Sequence, residues 1–273
     1  MRHAARAPPP PRFVPFSDPA SGATRAPARD APGGAFPATR NSLVAHLRGD
    51  DPDARARAFD AVATAYWKPV YKYLRLRWRA GHDDACDLTQ GFFADALERD
   101  VLARFDASRA RFRTYVRICL DGFVANERKA ARRQKRGGAL EHVPLDFAGA
   151  DGEVRALGAV GDVDPDVCFH REWVRGLFSS AVDALRRQCD AAGKQVHFAL
   201  FERYDVEGAD APDAPSYATL AAEFSLPVTQ VTNHLAFARR EFRRHVLAQL
   251  RESAGSDEEF REEARSLLGI DAS

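Results

Sequence analysis

Residues 217–235 read YATLAAEFSLPVTQVTNHL, and this stretch decides the fold class. Leu220, Ala221 and Phe224 line one short helix, and Ala222 is small enough for a close helix crossing. Ser225-Leu226-Pro227 then breaks the pattern. Val228, Val231, Leu235, Phe242 and Val246 return at three- and four-residue steps, which lays an apolar stripe along a second helix. The reading is a helix-turn-helix over about 217–224 and 228–250. With the stripe turned inward, Thr229, Gln230, Thr232, Asn233 and His234 face outward at the start of the second helix. That end of a recognition helix enters the DNA major groove. Asn and Gln can pair bidentately with adenine, and Thr can meet a thymine methyl. Arg239, Arg240, Arg243 and Arg244 follow at positions suited to phosphates.

A second segment carries the same chemistry in another form. Residues 108–136 read SRARFRTYVRICLDGFVANERKAARRQKR, in which Asp121 and Glu127 are the only acids. A solvated helix face normally mixes both signs; this one is strongly basic and interleaved with Phe112, Tyr115 and Phe123. Cations for phosphates and π-faces for unstacked bases are what single-stranded nucleic acid requires. The competing reading is a basic surface helix whose aromatics sit in the core.

Outward from these segments the chain is helical throughout, with no strand-like alternation and no internal repeat. Leu43, Leu47, Phe59, Val62, Tyr66, Val70, Tyr73 and Leu74 keep helical spacing. Asp50-Asp51-Pro52 marks a helix start with Pro at the first position. A helix is predicted over Asp84–Arg99, another from about Phe112 to Lys135, and further ones over Asp166–Ala192 and Val196–Tyr204. Residues 1–41 hold many prolines among Ala, Gly and Arg, and are expected to be a disordered extension or the product of a wrong translation start. The expected organisation is all-α: a helical domain over 42–136, an acidic, Gly-rich linker over 137–165, a second domain over 166–250, and a charged tail over 251–273 forming one helix.

The 273 residues carry a net charge of +1, but the charges are segregated, so local fields decide what polyanion can dock. Cys86, Cys119, Cys168 and Cys189 form no CxxC pair and are expected as small apolar residues in helices. No apolar run reaches the length of a membrane span, and no secretory signal is present, so a cytoplasmic protein is expected. The chain holds no P-loop, GxSxG, HExxH or GxGxxG, and its histidines are scattered. His82, Asp83, Asp84 and Asp87 invite a metal reading, but acids also favour the positive end of a helix dipole. Neither catalytic residues nor a metal or other cofactor is expected.

Two nucleic-acid-reading segments in this order resemble a bacterial sigma factor of the sigma-70 family, in the small two-domain, extracytoplasmic-function-like class. The carrying residues are DACDLTQGFF at 84–93, FRTYVR at 112–117, ANER at 125–128 and the helix-turn-helix at 217–245, with YWKPVYKYL at 66–74 similar to the opening helix of the first domain. The resemblance implies a non-enzymatic subunit of RNA polymerase. Asp84, Asp87, Leu88, Gln90 and Phe93 match the helix that binds the β′ clamp helices of the core enzyme. Arg109, Ala110, Arg111, Phe112, Arg113 and Tyr115 match the segment that holds the melted −10 strand, flanked by Asn126, Arg128, Lys129, Arg132 and Arg133. The second domain, beside the β flap, would read the −35 duplex through Thr229, Gln230, Thr232, Asn233, His234, Arg239, Arg240 and Arg243. The partners implied are core polymerase and promoter DNA, with an anti-sigma factor a further partner of that class. Cys86 and Gly91 depart from the acids more usual in the core-binding helix, and Tyr115 stands where Trp is common. Two other functions fit the residues: a free-standing helix-turn-helix regulator, and a metal-dependent nuclease using Asp83, Asp84 and Asp87.

Overall fold

The computed structural model describes residues 43–131, 145–160, 163–208 and 214–270. The expected N-terminal extension and the positions Arg132 and Arg133 lie outside them. Every regular element among the described residues is helical. The chain divides into two compact units. The larger comprises described residues 43–180 and 246–270, and the smaller comprises 181–208 and 214–245. Both boundaries fall inside long helices, so the expected domain over 166–250 is divided between the two units.

In the larger unit, α1 (Leu43–Leu47) leads into α2 (Pro52–Arg77). The Asp51 carboxylate caps α2 by accepting from the N–H groups of Asp53 and Ala54, with Pro52 in the first turn. One face of α2 supplies Phe59, Val62, Tyr66, Val70, Tyr73 and Leu74 to the core. Helix α3 (His82–Glu98) packs Phe92, Phe93 and Ala96 inward. A 3-10 turn at Leu102–Arg104 precedes α4 (Phe112–Ala131), which buries Phe112, Val116, Leu120 and Val124 at helical spacing. Gly91 is the point of closest approach between α3 and α4. A Cβ there would lie 3.2 Å from Phe123 Cζ, so a residue that weakens the isolated helix permits this contact.

The expected linker is in part a helix. Residues Phe147–Val160 form α5, which packs against α2. Phe147 meets the rings of Trp67 and Tyr71, while Ala150 and Val154 are buried. Its acids meet the bases of α2: Asp151 pairs with Arg75, and Glu153 with Lys68 and Lys72. Gly149 and Gly152 each cost roughly 1 kcal/mol of helix propensity, so this helix depends on its docking. The unit is completed by the start of α6 (Pro165–Ala191), the end of α9 (Val228–Ser253), and α10 (Asp257–Leu268), the helix expected in the tail.

The smaller unit holds the rest of α6, then α7 (Gln195–Phe201), a π-helical turn at Glu202–Val206, α8 (Tyr217–Glu223) and α9 up to His245. Its core gathers Leu185, Phe198, Phe201, Leu220, Val231, Leu235, Ala238 and Phe242. Ser216 caps α8 by accepting from the Thr219 N–H at 3.1 Å. Ser225 ends α8 in the left-handed region (φ 53°), and Leu226 N–H reaches back to Ala221 O at 2.9 Å. No helix of the described residues is long and apolar enough to cross a membrane. All four cysteines are free and helical, and burial pushes each thiol above its ordinary value.

The ammonium of Lys72 is only 1% exposed and meets Glu172 of α6 at 2.5 Å as well as Glu153 of α5. Lys72→Ala leaves Glu172 buried without its cation and is expected to cost about 3–5 kcal/mol in urea unfolding followed by circular dichroism. The apolar exchange of both partners, Lys72→Met with Glu172→Leu, is expected to cost less than Lys72→Ala alone. Burial works to raise the Glu153 carboxyl, but hydrogen bonds from Lys68 and Lys72 outweigh it and hold the group at about 2 against an ordinary 4.5. The stabilisation from Glu153 is therefore complete above pH 4.5 and lost as pH falls toward 2. An acid titration should show the Trp67 environment relaxing in that window, and Glu153→Gln should remove that pH dependence.

Candidate nucleic-acid interfaces

The basic stretch of the larger unit begins in a turn where Ser108 donates through its N–H and hydroxyl to the Asp106 carboxylate, at 3.0 and 2.7 Å. Arg109 is exposed beyond it. The aromatics that follow face the core, which corrects the expectation that they are open to bases. Phe112 is 1% exposed, edge-on to Tyr66 and Phe105. Tyr115 is half-buried against Phe105 and donates to Val101 O at 2.7 Å. Burial pushes its phenol up to about 12. Phe123 rests on Phe92. The physical reason is helical phase: 112, 116, 120 and 124 form the inward stripe, with 115 and 123 on its margin.

The cations of α4 fall into two groups. Arg111 and Arg113 are ion-paired with Glu262 and Glu263 of α10. Arg117 lies 3.3 Å from Asp166 and 3.6 Å from Asp121. Further along, Asn126 and Lys129 are exposed, and Arg128 lies over the Trp78 ring at 4.7 Å while donating to Trp78 O. Trp78 brings in a region that the sequence reading missed. It follows α2, donates its indole N–H to Asp121 at 2.9 Å, and is flanked by Arg77 and Arg79. These two arginines line a cleft of about 440 Å³ with Tyr73, Leu76, Arg117, Asp121 and residues 163–166. The signal was present in LRLRWRA at 74–80, where three arginines surround a tryptophan.

On α3, Asp84 and Asp87 are exposed, whereas Leu88 and Gln90 are half-buried. Phe93, expected at the polymerase-facing surface, is in the core against Phe59 and Phe92. Among the described residues, Asp83, Asp84 and Asp87 belong to no group of three or more side chains that could hold a metal ion.

In the smaller unit, α9 follows α8 after a four-residue connection at 224–227. Thr229, Gln230, Thr232 and Asn233 are exposed, and Val231 and Leu235 are fully buried beneath them. Thr232 returns its hydroxyl to Val228 O at 3.0 Å, which leaves its methyl and lone pairs outward. Two expected DNA contacts are placed differently. His234 is half-buried, its ring 3.8 Å from that of His197. Burial lowers the His197 value, and His234 and Lys194 lower it further, so His197 is neutral near pH 7.

Arg239 is not at the surface at all. Its guanidinium is buried and takes the Asp205 carboxylate through Nε (2.9 and 3.1 Å) and Nη2 (2.9 Å), with Tyr217 OH 3.3 Å from Nη1. The π-helical turn delivers Asp205 to this position. Arg239 sits next to Ala238 and Phe242 on the inward side of α9, whereas Arg240, Arg243 and Arg244 are on the outward side and exposed.

Comparisons with known proteins found no matching family model, no matching curated protein and no matching solved structure.

Arg239→Ala is expected to destabilise the smaller unit by about 3–5 kcal/mol, because Asp205 is left buried and unpaired. Arg240→Ala should stay within about 0.5 kcal/mol of the native chain. Urea unfolding of the two variants separates the brace from the surface cation.

Proposed function

We propose that this chain is a two-domain sigma-70-type subunit that directs core RNA polymerase to promoters. Its α8–α9 pair acts as the helix-turn-helix for the −35 duplex, and the 109–129 region contacts −10 DNA. The observation that carries the reading is the N-terminal turn of α9. There Thr229, Gln230, Thr232 and Asn233 are exposed in a row over a buried Val231 and Leu235, with exposed Arg240, Arg243 and Arg244 further along. Donors, acceptors and a methyl stand where base edges are read, and cations follow for the phosphates. Exposed Asp84 and Asp87 on α3 are the polymerase contacts in this reading, with Arg109, Asn126, Arg128 and Lys129 on the promoter side. The protein works in the cytoplasm and performs no chemistry itself.

The burial of Phe112 and Tyr115 favours a second reading, in which the chain binds duplex DNA alone as a free-standing regulator. Reconstitution separates the two. The sigma reading expects weak DNA binding by the free chain and promoter-dependent RNA synthesis once core polymerase is added. Tight duplex binding with no gain in transcription would decide for the regulator. Within the sigma reading, Asp84→Lys with Asp87→Lys should weaken co-elution with core polymerase while helical content is kept. In a promoter-library selection, Asn233→Ala should change the preferred −35 bases, costing about 1–3 kcal/mol at the contacted position. Arg240→Ala should weaken all sequences alike and lower the salt slope by about 1.

A further inference from the structure

The charged tail is not free of the basic stretch. Helix α10 starts at a cap in which Ser256 Oγ accepts from Glu259 N–H at 3.1 Å, and it carries Asp257, Glu258, Glu259, Glu262 and Glu263. Three of these acids converge on residues 111–113. Arg111 Nη2 meets Glu262 at 2.6 Å and Arg111 Nη1 meets Glu263 at 2.9 Å. Arg113 also pairs with Glu263. The Phe112 N–H, at the first turn of α4, donates to Glu259 Oε1 at 3.1 Å. Two guanidinium groups and a helix-start N–H form a cradle suited to a phosphodiester, and here carboxylate oxygens fill it.

The acids that fill the cradle crowd one another. Burial raises the Glu259 carboxyl above its ordinary value, and the neighbouring Glu263 charge adds to the effect. A polyanion offers the same arginines charge from outside and relieves this like-charge contact. Gly255 lies at the entry to α10; a Cβ there would come within 2.3 Å of Phe105 Cε1, so the chain enters the helix against the 105–112 turn itself.

We propose that α10 is an internal competitor for nucleic acid: Glu259, Glu262 and Glu263 occupy Arg111, Arg113 and the Phe112 N–H, and a single strand binds there only when α10 is displaced. The inference rests on the reading of 109–129 as a DNA-contacting region. It makes the C-terminal helix the regulator of that region.

The test uses the full chain and a fluorescein-labelled single-stranded DNA of mixed sequence, about 15 nucleotides long, within the range of known single-strand sites. Glu262→Gln with Glu263→Gln should bind it about tenfold more tightly than the native chain near 0.1 M salt. The log–log salt slope should steepen by about 0.7 for each phosphate contact released. Adding Arg111→Ala and Arg113→Ala should abolish the gain. Hydrogen exchange of residues 257–268 should rise when DNA is added to the native chain. Glu262→Gln alone changes an exposed pair and should still give about a threefold gain where the double variant folds poorly. A folded variant that binds no more tightly, or a gain that survives loss of both arginines, overturns the proposal. If the native chain also supports promoter-dependent transcription, only the competitor role fails. If neither native chain nor variant binds DNA or supports transcription, both readings fail.

Discussion

Lys72 is the constraint on which the larger unit depends. An ammonium with 1% exposure is tolerable only if carboxylates surround it, and Glu172 and Glu153 do so from α6 and α5. Lys68 and Arg175 extend the cluster at its edge, at 2.7 Å and 3.0 Å from Glu153. The desolvation cost of such a group is large and is met only when every partner is in place. The docking of α5 and α6 on α2 is therefore specified by charge as well as by apolar area. A slipped α5 would leave Lys72 or Arg75 with an incomplete set of acceptors. Phe147 over Trp67 and Tyr71 then fills the space that the ion pairs frame.

The same logic accounts for the segregated charges. The net charge of +1 conceals acidic and basic blocks that are far apart in sequence and adjacent in space. Asp151 and Glu153 meet the bases of α2, Asp166 meets Arg117, and Glu262 and Glu263 meet Arg111 and Arg113. Half of the one-signed run at 108–136 is thus already neutralised by this chain. What remains open to a polyanion lies at its two ends: Arg109 before α4, and the Trp78–Arg128–Lys129 neighbourhood beside Arg77 and Arg79.

The helices were legible in the sequence wherever periodicity and punctuation agreed. Asp51-Pro52 set the start of α2, Ser225-Leu226-Pro227 separated α8 from α9, and the apolar spacing of α4, α6 and α9 matched the observed helices to within a few residues. Helix α5 was not legible, because its glycines and acids argue locally against a helix and its support comes from α2. The exposed row on α9 followed from the stripe beneath it. The inward turn of Phe112 also followed from helical phase, but aromatic residues in a basic run are compatible with either side of a helix. Nothing local marks Arg239 as different from Arg240; only the partner at Asp205, thirty-four residues earlier, distinguishes them.

That difference sets how α9 presents its outer face. An apolar stripe alone fixes which side of a helix is inward, but it tolerates sliding and rotation by a fraction of a turn. A guanidinium held by both oxygens of a buried carboxylate does not, because its geometry is planar and directional. Arg239 on Asp205, with Tyr217 of α8 on the same guanidinium, ties α9 to the π-helical turn and to α8 at once. One turn earlier, His234 lies against His197 of α7. The exposed row from Thr229 to Asn233 therefore projects from a helix whose rotation is pinned by polar contacts on its hidden side. A surface that reads base edges needs its donors and acceptors placed to within a few tenths of an ångström, and buried polar pairs supply that placement where interchangeable apolar contacts do not.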